Sequence, residues 1–347
     1  MTSSVRTSRR ARARSIAARS AVPDTMRAAV VNRFGDPSVF SIDTVPVPRP
    51  NAHEVLIAVD VAGVGSWDPS LRSGEWSEGK TEFPLILGVD GSGTVVAVGA
   101  SVDRFALGDR VYSYTFDNSK GGFYAEYVAV PAGRVAQIPA ELDSVRAGAL
   151  PAIGLTALQG VDDTLEIASG ENVVIHGASG NVGMIALQFA KLRGARALAI
   201  ASGGDGVELV RRLGADEAID GRASDGDMDA ALDQFAPDGV DAVLACAGGK
   251  ELTRCLDALK KGGRVAYPNG VEPEPRKRRG LRMIGYDAQS GVRQFERLNA
   301  AVEQSRLEVP IAEVYSLNDV ARAHERIERG HVVGKIVLNI SASASLG

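Results

Sequence analysis

Gly177, Gly180 and Gly183 stand at G-x-x-G-x-x-G spacing within residues 171–192, ENVVIHGASGNVGMIALQFAKL. Glycines so placed permit a tight turn, let the backbone approach a pyrophosphate, and allow a helix to pack closely on its strand. The chemistry they predict is anion binding at a helix N-terminus, where free N–H groups face the ligand. With Gly 39 of 347 residues, chance spacings are common, and an empty Rossmann-like turn is the alternative. Context favours dinucleotide binding: residues 172–175 form a β-branched apolar run that reads as a buried parallel strand, and an apolar-periodic helix follows the turn. The only two cysteines, Cys246 and Cys255, are too few for a zinc ribbon or a disulfide framework. They suit a reducing compartment, so a cytoplasmic location is expected.

The elements that must position this turn follow from the rest of the chain. At 347 residues, 45% hydrophobic and 24% charged, two soluble domains are expected. No run of eighteen predominantly apolar residues is present, so no membrane span is expected. Residues 1–25 hold six Arg and one Asp, which leaves −9 on the remainder of a chain whose net charge is −4, so nucleic-acid binding by the folded part is disfavoured. Residues 1–25 read as a disordered, dispensable basic tail without an apolar face. A transit peptide, a basic arm for nucleic acid, or an upstream start with Met26 as the natural beginning would each explain it; the last is favoured. From Met26 short alternating strands are expected at 27–32, 55–62, 93–98, 110–113 and 124–128. One helix over residues 143–160 is expected to bridge the domains. Beyond residue 171 strands and helices alternate, with strands at 197–201, 217–219, 242–245, 264–267 and 281–286 and helices at 207–213, 228–235 and 251–260. That alternation predicts a doubly wound parallel sheet with its ligand over the strand ends. A helix capped by Asn318 and a strand at 335–339 close the chain.

From Met26 to Ile340 these motifs resemble the medium-chain dehydrogenase/reductase superfamily, and within it the zinc-independent NADPH:quinone oxidoreductases. The resemblance rests on GVDGSG at 88–93, GDRVY at 108–112, GASGNVG at 177–183, LGAD at 213–216, GGRV at 262–265 and GKIVL at 334–338. It implies a Rossmann domain at 146–304 inserted in a mainly antiparallel, GroES-like catalytic domain built from 26–145 and 305–347. It also implies a homodimer. Where zinc members of the superfamily present metal ligands, the matching positions are Gly65, Val89 with Asp90, and Ala152; Gly65, Val89 and Ala152 offer no ligand, and no metal is expected.

The expected activity is hydride transfer from NADPH to a small electrophilic acceptor, a quinone or an activated alkene or carbonyl. An enoyl or alkenal reductase, or a non-catalytic NADPH-binding protein, are the alternatives. Trp67, Asp68 and Arg72 are the cleft candidates, with Trp76 as a further wall of a flat pocket; no proton donor is assigned. The expected cofactor-binding set is Thr156, Gly177, Ser179, Gly180, Asn181, Val182, Gly183, Ser202, Arg212, Ala247, Tyr267, Asn269 and Lys335. NADPH is expected because residues 199–204, AIASGG, carry no acid where NAD enzymes hold the ribose hydroxyl. There Ser202 donates to a 2′-phosphate, and Arg211 or Arg212 adds charge.

Overall fold

The computed structural model describes residues 22–77 and 81–341; the basic tail through residue 21 lies outside the described residues. Order begins before Met26, since Val47 N donates to Asp24 O and Thr25 already pairs with Pro46. The first elements are β1 (Thr25–Val31), β2 (Phe40–Pro46), β3 (Glu54–Val64), the short helix α1 (Asp68–Ser73), β4 (Leu85–Ile86), β5 (Asp90–Val98), β6 (Arg110–Tyr114), β7 (Tyr127–Pro131) and β8 (Val135–Gln137). Residues 124–126, expected in a strand, precede β7 instead. Tyr124 is fully buried there, its N–H donating to Leu87 O.

The helix expected over 143–160 is two helices, α2 (Ser144–Ala149) and α3 (Pro151–Gln159). Asp143 caps the first by accepting from Arg146 N. Pro151 opens the second because it lacks an N–H and its φ suits a first helical position. Then follow β9 (Asn172–His176), α4 (Asn181–Leu192), β10 (Arg196–Ala201), α5 (Gly203–Arg212), β11 (Glu217–Asp220), α6 (Asp225–Phe235), β12 (Val240–Ala245), α7 (Lys250–Asp257), β13 (Leu259–Pro268) and β14 (Arg282–Tyr286). The chain ends with α8 (Val292–Ser305), β15 (Ile311–Ser316), α9 (Val320–Glu328) and β16 (Lys335–Asn339). Among these, β2, β4, β8, α8 and β15 are additions to the expected elements. Asn318 does not cap α9; it accepts from Arg27 across the sheet.

β9 to β14 form one six-stranded sheet in the order β11-β10-β9-β12-β13-β14, and its registered pairs are all parallel. Its strands are apolar on both faces because helices cover both. One core joins α3, α4 and α8 to the sheet through Ile153, Ile185, Phe189 and Leu298, and a second joins α6 and α7 to the other face through Met228, Leu232 and Leu252. The catalytic sheet runs β15-β16-β3-β5-β6-β8, and β16 is antiparallel to β3. The fold is thus mixed α/β, a parallel Rossmann-like sheet with a GroES-like, mainly antiparallel one. No helix among the described residues is long and apolar enough to cross a membrane.

Candidate active site

The cofactor side is built from the β9–α4 turn. The chain leaves the buried strand at His176 and reverses at Gly177, whose φ of 77° disfavours any side chain. A Cβ there would also lie 3.1 Å from that of Ala247 at the neighbouring strand end. At Gly180 a Cβ would meet only Gly177 O, at 3.3 Å, so the space above this residue is open. No side chain caps α4, which leaves its first N–H groups without an intrahelical partner. Asn181 Oδ1 is buried there with no hydrogen-bond partner. Gly183 does a different job, since its Cβ would stand 2.3 Å from Gly177 O: it lets helix and turn touch. Val182 packs against the core and Ser179 is buried, its Oγ accepting from Ser202 N at 3.1 Å. Open space and free backbone amides fit the pyrophosphate of a nicotinamide dinucleotide.

Beside this turn lies a cavity of about 250 Å³ lined by Gly177, Ser202, Arg222, Ala247 and Glu251, among others. Arg222 was not anticipated. It follows the end of β11, where the strand-end rule would have found it, and it is an exposed cation at the cavity wall. The helix arginines do not serve. α5 has ten residues, so its last turn lies about 15 Å along the axis from its N-terminus. Arg212 there pairs with Glu308, and Arg211 donates to Ala218 O. Thr156 Oγ1 donates to Ala152 O, and Asn269 is exposed at the end of β13 with its amide on Asp287. The Tyr267 ring is buried in the core beneath α6 and α7, its hydroxyl on Glu274, so this strand end offers backbone to a ligand and not the ring.

On the catalytic side the residues matched to metal ligands do converge, but around charge. Asp68 Oδ2 accepts from Gly65 N at 2.7 Å and from the Tyr124 hydroxyl at 2.9 Å, while Asp90 Oδ2 accepts from Ala152 N at 3.0 Å. Both carboxylates are fully buried, and so is Lys335, whose Nζ stands 4.9 Å from the centre of the Trp67 ring. Expected at the cofactor, Lys335 is held instead by the field of two desolvated carboxylates. Burial pushes the Asp68 carboxyl up to about 6, against the opposing pull of the Gly65 amide and of Lys335. Burial likewise raises Asp90 and lowers Lys335. The remaining oxygens of both acids, Lys335 Nζ and Trp67 Nε1 have no hydrogen-bond partner.

Arg72 is buried as well and acts as a fastener of α1 to α9. Its guanidinium donates to Gly35 O at 2.9 Å, to His324 Nδ1 at 3.0 Å and to Glu328 at 2.6 Å. Arginine only donates, so His324 accepts, and burial together with the adjacent guanidinium lowers this imidazole to about 3.

None of Trp67, Asp68 and Arg72 lines the cavity that opens next to them. That cavity measures about 330 Å³ and is walled by Phe34, Leu71, Trp76, Ile86, Val89 and Thr115, among others. Trp76 also reaches across to the Rossmann side: a Cβ at Gly270 would lie 2.9 Å from its ring. Thr115 Oγ1 is buried with no hydrogen-bond partner. Among the described residues no group of three or more His, Cys, Asp or Glu is placed to hold a metal ion.

Residues 51–140 match the family model for the alcohol dehydrogenase GroES-like domain, and residues 213–338 that for zinc-binding dehydrogenases. The chain is 32% identical over 325 residues to a quinone oxidoreductase of Lama guanicoe, covering 90% of this chain and 97% of that one. It is 28% identical over 333 residues to the chloroplastic NADPH-dependent alkenal/one oxidoreductase of Arabidopsis thaliana, with 93% and 82% covered. A mycobacterial protein solved with NADPH superposes with a TM-score of 0.81 at 27% identity, over 91% of this chain and all of that one. Matched over 90% of its length by a relative at 32% identity, the chain belongs to the medium-chain dehydrogenase/reductase superfamily, quinone oxidoreductase type, and is an oxidoreductase using a nicotinamide cofactor.

Proposed function

We propose that this protein is a metal-free reductase that delivers hydride from NADPH to a small electrophilic acceptor, a quinone or an activated alkene or carbonyl. The observation that carries the reading is the cavity of about 330 Å³ in the catalytic domain, with Trp76 of its wall facing Gly270 of the Rossmann side. Its walls are mainly apolar, and Trp76 and Phe116, with ring centres 6.4 Å apart, are half-exposed at it. Such a cavity favours a flat, poorly hydrated molecule. Reduced nicotinamide supplies the hydride; the chain must exclude water, hold the acceptor and donate where oxyanion charge develops. Thr115 is part of that wall, its hydroxyl buried without a hydrogen-bond partner. Oxidation of NADPH measured in parallel against quinones, enals and enoyl thioesters tests the reading, and no turnover with any of the three refutes it.

Two expectations follow. Dialysis against a chelator should leave turnover unchanged, because Gly65, Val89 and Ala152 put no ligand atom at the positions matched to zinc. A lasting loss that zinc restores would show otherwise. NADPH should exceed NADH in kcat/KM by at least about tenfold, or about 1.4 kcal/mol. Ser202 and Arg222 line the adenosine side, and β10 ends without an acid. Equal efficiencies would refute the preference.

A further inference from the structure

A carboxylate on the β10–α5 loop repels a 2′-phosphate, and the loop does carry one: Asp205, in the first turn of α5. It is not left alone. His331, from the segment between α9 and β16 of the catalytic sheet, reaches the Rossmann side and sets Nε2 3.0 Å from Asp205 Oδ2 and Nδ1 3.2 Å from Ser202 Oγ. The carboxylate only accepts, so Nε2 carries a hydrogen toward it. In the protonated ring Nδ1 donates as well, to Ser202 Oγ, and the serine keeps its own hydrogen for a phosphate oxygen.

The contact is built rather than incidental. Gly330, His331 and Gly334 all have left-handed φ, 69°, 47° and 106°, an unusual conformation for a histidine. Arg326 fixes the bend by donating to Gly330 O at 3.1 Å and to His331 O at 3.2 Å, while its Nε is tied to Glu313. On the Rossmann side Gly203, at φ 76°, leaves room for the ring; a Cβ there would lie 3.0 Å from His331 Cε1. The Gly203 and Arg222 amides both donate to Asp220 Oδ1 at 3.0 Å, which holds the rest of the loop.

We propose that His331 decides which dinucleotide this enzyme accepts: reaching across from the catalytic domain, it engages Asp205 and so lets Ser202 receive an adenosine 2′-phosphate that the free carboxylate would repel. His331 is then a specificity-determining residue contributed by the domain that does not otherwise form the adenosine site. This rests on the NADPH reading above.

The test is equilibrium binding to the full chain, by calorimetry, of NADPH and NADH and of the fragments 2′,5′-ADP and 5′-AMP. His331→Ala should weaken NADPH and 2′,5′-ADP by about tenfold, the scale of one charge-assisted hydrogen bond. NADH and 5′-AMP should stay within about twofold of the parent protein, well inside one tenfold step of affinity. Adding Asp205→Asn to His331→Ala should restore most of the NADPH affinity, which a purely structural clasp would not allow. Equal losses for all four ligands, no loss, or no recovery in the double variant would each overturn the assignment. A wild type that binds 2′,5′-ADP no more tightly than 5′-AMP would overturn the NADPH reading itself, and His331 with it. A discriminating wild type with an equally discriminating His331→Ala would overturn the histidine alone.

Discussion

Lys335→Met is expected to lose about 3–5 kcal/mol of stability, the cost of leaving buried charge without its partner. Methionine keeps the unbranched stem beneath Trp67 and removes the ammonium, so Asp68 and Asp90 keep their amide and hydroxyl donors but lose the compensating charge. The loss should depend on pH in a defined direction. With the lysine present, burial already lifts the Asp68 carboxyl from 3.8 to about 6. An acid raised on folding binds more protons when folded, so its contribution falls as pH rises from the unfolded value through the folded one. Without Lys335 both carboxyls rise further and that window widens upward. The deficit should therefore be small near pH 4–5, about where unfolded carboxyls titrate, and largest above neutrality. Urea unfolding midpoints at acid and alkaline pH measure it; a deficit that is absent, or that does not grow with pH, refutes the buried-charge account.

Gly180→Val is expected to abolish NADPH binding in practice, weakening it by about a hundredfold or more, or some 3 kcal/mol, without unfolding the protein. Its φ of −80° and ψ of 174° suit any residue, and a Cβ there meets only Gly177 O at 3.3 Å. The branched side chain therefore enters the open space of the pyrophosphate cradle. Gly183→Ala should behave oppositely, since a Cβ 2.3 Å from Gly177 O and 2.7 Å from Ala178 Cα forces strand and helix apart. Calorimetric titration with NADPH, paired with thermal unfolding, separates the two. Full affinity in Gly180→Val would remove the phosphate site from this turn.

The turn was legible because everything it needs is local: a strand, three glycines and a helix within about twenty residues. The strand ends were legible too, and with them the cavity wall at Ala247. Side-chain direction at β13 was readable from alternation, since Val265 and Tyr267 share the face packed on α7 while Ala266 takes the other. The apolar spacing of Phe295, Leu298 and Val302 in α8 was equally present, but Gly291 caps that helix with no side-chain signal. What no local pattern carries is the pairing of distant charges. Asp68, Asp90 and Lys335 meet only because β16 lies beside β3, and His331 meets Asp205 only because two domains face each other.

The place of β16 inside the catalytic sheet bears on how the chain comes to be folded during synthesis. β16 sits between β15 and β3, so the sheet begun by the first strands stays split until residues 335–339 are made. The strands of the parallel sheet are contiguous in the chain and can close first. Until β16 arrives, β3 exposes an open edge over residues 61–64 and the acids at Asp68 and Asp90 lack the Lys335 counter-charge, a state prone to pairing with other nascent chains. A ribosome stalled shortly before Lys335 would thus hold a finished nucleotide-binding half joined to an unfinished catalytic one.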